Sequence, residues 1–136
     1  MVYNRENVSK ALAKTDVRER VPLSELVSFR VGGPAAFVLQ PKSEEDLSYA
    51  LDLCKREGVP VALLGNGTNV LPLDEGFDGL ILQLCGDGSA PVFTGEKVTV
   101  GAGYSLTALA KESVQRGYMG LERLCGIPGT VGGAVA

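Results

Sequence analysis

Apolar residues recur at helical spacing in three stretches of the chain. Between residues 4 and 14, Val8, Ala11 and Leu12 fall on one side, which predicts a short amphipathic helix. The second stretch is the clearest. Ser43-Glu44-Glu45-Asp46 supplies an N-cap and an acidic first turn, and Leu47, Ala50, Leu51 and Cys54 form its apolar face. Lys55 and Arg56 stand in its last turn, and Gly58 closes it. In the third, Ser105 caps a helix with Leu106, Leu109, Ala110 and Val114 on one face and Gly117 at its end. Continuous apolar runs predict strands between these helices. Ala35–Leu39 follows the breaker Gly32-Gly33-Pro34 and stops at Pro41, Val59–Leu64 reads as a buried strand, and Gly79–Leu84 is another. Val92-Phe93 and Lys97–Val100 read as the arms of a hairpin around Gly95. From Cys125 to Ala134 four glycines and a proline predict a loop without regular structure. The sum is mixed α and β, with no repeat and no low-complexity tract.

Composition narrows the function classes. The chain has 136 residues, 45% apolar and 21% charged, enough for one domain, or one and a piece. Thirteen basic against 16 acidic residues leave a net charge of −3, which argues against a general nucleic-acid or anionic-membrane binder. No apolar run approaches the ~20 residues of a membrane span. Charges occupy the start, Met1–Asn7, where a signal peptide has its apolar core, so a cytoplasmic location is expected. The chain contains no His, which removes Ser-His-Asp and Cys-His catalysis and the common zinc patterns; no metal is expected. Cys54, Cys85 and Cys125 are odd in number and far apart, and read as reduced thiols. The excess lies in glycine, 18 residues, and three glycine-rich loops are where chemistry is to be sought.

Gly65-Asn66-Gly67-Thr68-Asn69 follows an apolar run. Gly and Asn tolerate positive φ, so successive N–H groups can turn inward as an anion nest suited to a diphosphate. The competing reading is a hairpin turn, for which Asn-Gly between apolar runs is a leading signal. A phosphate-binding P-loop is ruled out because no G-K-[ST] follows, and the dinucleotide fingerprint because Val70 stands where its third Gly belongs. Gly101-Ala102-Gly103 lies between strand and helix, as a close approach for a flat ligand or simply a tight turn. Gly126-Ile127-Pro128-Gly129-Thr130-Val131-Gly132-Gly133 is apolar and uncharged, unlike a solvent loop. It packs either on neighbouring protein or on a planar apolar ligand such as an isoalloxazine ring.

Taken in order, Ser28-Phe29-Arg30-Val31-Gly32-Gly33-Pro34-Ala35, Leu64–Leu71, Gly101–Gly103 and Gly126–Ala134 resemble the bacterial UDP-N-acetylenolpyruvoylglucosamine reductase (UDP-N-acetylmuramate dehydrogenase) family. Each string is weak alone; four in this order are specific. The resemblance implies an α+β, FAD-binding fold of the vanillyl-alcohol-oxidase and p-cresol-methylhydroxylase type, built from two small α+β subdomains. On this view residues 1–73 form the first subdomain and 74–136 the start of the second, which is incomplete, and the substrate-binding domain is absent. FAD is the implied cofactor. Leu64, Gly65, Asn66, Gly67, Thr68, Asn69 and Val70 would bind its pyrophosphate. Gly101, Ala102 and Gly103, with Ile127, Pro128, Gly129, Thr130, Gly132, Gly133 and Ala134, would line the rest.

The family reaction reduces UDP-N-acetylglucosamine enolpyruvate to UDP-N-acetylmuramate with NADPH, in peptidoglycan precursor synthesis. Family chains are more than twice this length, and the arginine, serine acid and glutamate of the reaction would lie beyond Ala136. No catalytic side chain is therefore expected here, and the chain alone is expected not to turn over. NADPH and UDP-N-acetylglucosamine enolpyruvate are the implied small-molecule partners; nothing calls for nucleic acid, membrane or an obligate protein partner. Arg30 stands at a cationic position of the family motif, facing the ligand or merely forming a surface ion pair. Cys125 could border the flavin or serve as a small buried hydrophobe. Two other classes stay open at this point: another FAD oxidoreductase of the same fold, disfavoured by the lack of a His to tether FAD, and a nucleotide-binding module without chemistry.

Overall fold

The computed structural model describes residues 2–86 and 90–136, which divide into two compact units. The first comprises residues up to Leu64 together with Asn69–Gln83. Helix α1 (Arg5–Leu12) opens it, capped by the Asn4 side chain, which accepts from Asn7 N–H. Strands β1 (Arg18–Pro22) and β2 (Pro34–Leu39) follow, then helix α2 (Glu44–Glu57) and strands β3 (Val61–Leu64) and β4 (Phe77–Gln83). The sheet order is β1-β2-β4-β3, with β1 antiparallel to β2 and both β2 and β3 parallel to β4.

Side chains alternate across this sheet as the pleat demands. Leu80 and Leu82 of β4 point, with Phe37 and Leu39 of β2, into a core with Val8 and Leu12 of α1 and Ala50, Leu53 and Cys54 of α2. Ile81 and Val38 point the other way, towards Val21, Leu23, Leu26 and Leu64. Ala35 joins this second cluster because the register shifts between Ala35 and Phe37, which breaks the alternation.

Helix α2 runs between the caps read from sequence. The Ser43 hydroxyl accepts from Asp46 N–H at 3.1 Å, and Gly58 closes the helix in the left-handed region at φ 70°. Its buried face differs by one step: Leu53 is 1% exposed and Leu51 is 41% exposed. At a helix-face edge either neighbour can turn inward, and the packing on β2 and β4 selects Leu53. Strand β3 is also a correction. It lies at the sheet edge, and Leu63 is 68% exposed rather than buried. The buried strand is β4, flanked on both sides and buried from Gly79 to Gln83 around the apolar run Leu80-Ile81-Leu82.

The second unit comprises Gly65–Thr68 and residues from Leu84 onward. Its hairpin, β5 (Val92–Thr94) and β6 (Lys97–Thr99), turns at Gly95 with φ 58°. Helix α3 (Leu106–Gln115) buries Leu106, Leu109, Ala110 and Ser113. Ser113 takes the place expected of Val114, which is half exposed. Phe93 stacks on Tyr118 at 5.2 Å, and the Arg116 guanidinium lies 4.7 Å from the Phe93 ring centre. The final stretch is not wholly irregular: Val131–Val135 forms a short helix, α4, capped by Thr130. Two glycines inside it weigh against helix on propensity. The cap and backbone bonds to residues 102 and 104 favour it.

Candidate cofactor site

The three glycine-rich loops meet within the second unit. Residues 101–106 and 129–132 are laced together by backbone hydrogen bonds. Leu106 N–H donates to Gly129 O at 3.0 Å, Val131 N–H to Tyr104 O at 2.9 Å and Gly132 N–H to Ala102 O at 2.8 Å. Ser105 and Thr130 form an antiparallel bridge. The approach is close enough to need small residues: a Cβ on Gly132 would lie 3.0 Å from that of Ala102. Gly103 sits similarly against Cys85. Burial raises the Cys85 thiol pKa, so this thiol holds its proton.

Gly65–Thr68 joins the other two loops. The Thr68 hydroxyl donates to Pro128 O at 3.4 Å, and Thr130 packs on Gly65. Gly67 is buried with φ 64°, a conformation in which glycine carries no Cβ penalty. Gly129, at φ 131°, faces Thr68. The hairpin reading of this loop fails. Strands β3 and β4 on either side of it run parallel, and a tight turn cannot join parallel strands.

Thus Gly65, Asn66, Gly67, Thr68, Gly101, Ala102, Gly103, Ile127, Pro128, Gly129, Thr130, Gly132, Gly133 and Ala134 fall in one unit. Leu64, at the buried end of β3, and exposed Asn69 and Val70 belong to the other. Sequence reasoning missed the part of residues 104–107. Ser105 does cap α3, accepting from Ala108 N–H at 3.2 Å, but its backbone also bridges Thr130. Thr107 Oγ1 donates to Ile127 O at 3.3 Å. Nothing local in the sequence announces such a pairing. Arg30 is exposed at φ 54° and forms no ion pair among the described residues; Cys125 is half-buried.

The loops carry no Lys, Arg, Asp or Glu from Gly65 to Thr68, from Gly101 to Gly103 or from Gly126 to Ala134. They offer backbone N–H groups and hydroxyls, with no carboxylate to repel a phosphate. Such a set can bind and orient an anion with a flat apolar part.

Residues 35–136 match the model of the FAD binding domain family. The chain belongs to that family. FAD is the cofactor of this FAD-binding domain. A UDP-N-acetylenolpyruvoylglucosamine reductase of Clostridioides difficile (strain 630) is 36% identical over 130 residues, 96% of this chain and 43% of its own. That of Rubrobacter xylanophilus is 43% identical over 114 residues, 84% of this chain and 38% of its own. The crystal structure of the Thermus caldophilus UDP-N-acetylenolpyruvylglucosamine reductase superposes with a TM-score of 0.67 at 38% identity. It covers 88% of this chain and 41% of that one. The FAD-binding domain therefore spans less than half the length of the relatives it matches, and the α+β FAD-binding fold expected from the motifs is the one found. No helix among its described residues is long and apolar enough to cross a membrane.

Proposed function

We propose that this chain is the FAD-binding part of a UDP-N-acetylenolpyruvoylglucosamine reductase that makes UDP-N-acetylmuramate for peptidoglycan. The observation that carries the reading is the meeting of the three glycine loops in a chain whose relatives bear that name. Gly65–Thr68, flanked by Leu64, Asn69 and Val70, would hold the pyrophosphate through backbone amides. Gly101–Gly103 and Ile127–Ala134 would hold the remainder, the uncharged surface of the last loop suiting a flat ring. When bound, FAD supplies the hydride chemistry, accepting hydride from NADPH and giving it to the enolpyruvyl double bond. The loops orient and shield; the proton for the neighbouring carbon comes from a side chain outside this set. A cytoplasmic location accords with NADPH and a nucleotide sugar as reactants, and the net charge of −3 accords with no nucleic-acid or membrane partner.

Two assays test this. Titration of the chain with FAD, followed by quenching of flavin fluorescence, is expected to saturate at one equivalent. A longer protein containing this chain is expected to oxidise NADPH only when UDP-N-acetylglucosamine enolpyruvate is present, while these 136 residues with FAD do not. No saturable FAD binding, or no substrate dependence, would sink the proposal.

A further inference from the structure

Thr130 lies in a loop yet is only 3% exposed. Its hydroxyl oxygen accepts from Gly133 N–H at 3.1 Å, which caps α4. The same oxygen lies 2.5 Å from where a Cβ on Gly65 would stand, with the Thr130 methyl carbon at 3.5 Å. A Cβ on Gly133 would lie 3.2 Å from it. Gly65 is not in the left-handed region, so its own backbone would accept alanine. What requires glycine there is Thr130. Turning the Thr130 side chain away would make room only by giving up the α4 cap.

The chain course adds weight. Gly65–Thr68 is entered from Leu64 and left through Asn69, both of the first unit, yet these four residues pack with the second. Besides Thr130, the Thr68 hydroxyl on Pro128 O and Gly129 against Thr68 make the clasp. We propose that Thr130 is a positioning residue: it fixes the Gly65–Thr68 loop against the start of α4, so that the loop amides are set before a cofactor arrives. A preset loop spares the ordering cost that binding otherwise carries. This rests on the reading of that loop as the pyrophosphate loop, but its first test needs no cofactor.

Amide hydrogen exchange on the cofactor-free chain is compared for wild type, Thr130→Ser, Thr130→Val and Thr130→Ala. Exchange at residues 66–68, some sixty positions away in sequence, is expected to quicken ~5- to 30-fold in Val and Ala, the range set by loss of an N-cap. Thr130→Ser, which keeps the hydroxyl, is expected to restore it. Leu39 and Leu80 amides report that the first unit stays folded. Unchanged exchange at 66–68 in Thr130→Ala would overturn the proposal, and if that variant does not fold, failure of Thr130→Val to differ from Thr130→Ser would do so. FAD titration then separates the two ideas. Gly65→Ala is expected to weaken FAD binding at least tenfold in the wild-type background and less than threefold on Thr130→Ala, where the obstructing oxygen is gone. Equal losses in both backgrounds would refute the role of Thr130. Absence of FAD binding in wild type would refute the cofactor-loop reading alone and leave exchange to decide on Thr130.

Discussion

Gly76 holds φ 82°, and a Cβ there would lie 2.8 Å from the Pro34 nitrogen, closer still to its carbonyl oxygen. Both effects oppose a side chain: the left-handed backbone costs about 1–2 kcal/mol, and crowding against backbone adds roughly 1–3 kcal/mol. Gly76→Ala is therefore expected to lower stability by about 2–5 kcal/mol, read as a fall in the urea midpoint at constant slope. An unchanged midpoint would show that β2 and the 73–76 turn can move apart freely. Cys54 offers a residue-scale test of burial. Desolvation lifts its thiol to about 11 from an ordinary 9.0. The folded chain then keeps a proton that the unfolded chain releases, so stability is intact below pH 9 and falls as pH rises through 9 to about 11. Cys54→Ala is expected to flatten that part of the alkaline unfolding profile; identical profiles for the two proteins would contradict it.

At the scale of elements, each helix owes its start to one side chain. Ser43→Ala and Ser105→Ala each remove an acceptor for one N–H, at Asp46 and Ala108. Each is expected to cost about 1 kcal/mol, with Asp in place of Ser restoring most of it, as measured by chemical unfolding. Caps of this kind were legible from sequence because they depend on neighbours within four positions. What escaped depends on partners far along the chain. Leu51 and Leu53 flank the same face of α2, and only the packing against β2 and β4 decides between them. Val59–Leu64 looks buried by composition, yet its strand, β3, lies at the sheet edge because β4 takes the inner place. The same applies to α4: its glycines argue for a loop, and the bonds from Gly132 to Ala102 and from Val131 to Tyr104 are invisible to a local reading. Three glycine loops could be found by spacing; that Thr130 meets Gly65 and Gly132 meets Ala102 could not.

For the molecule as a whole, FAD at about a hundred times its dissociation constant is expected to stabilise the chain by about 2.7 kcal/mol, seen as a shifted unfolding midpoint. Because no Lys or Arg stands in the three loops, the affinity is expected to change little between low and moderate salt. A steep loss of affinity with salt would instead place a cationic side chain on the phosphates. The division of the chain adds one more consequence. The backbone passes from one unit to the other at Leu64, returns at Asn69 and leaves again at Gln83, so four residues of one body are spelled within the stretch that encodes the other. No single cut in the gene separates the two. A crossover between Thr68 and Gly101 would carry away two of the glycine loops without the third, whereas one placed before Gly65 would move all three together but split the first unit.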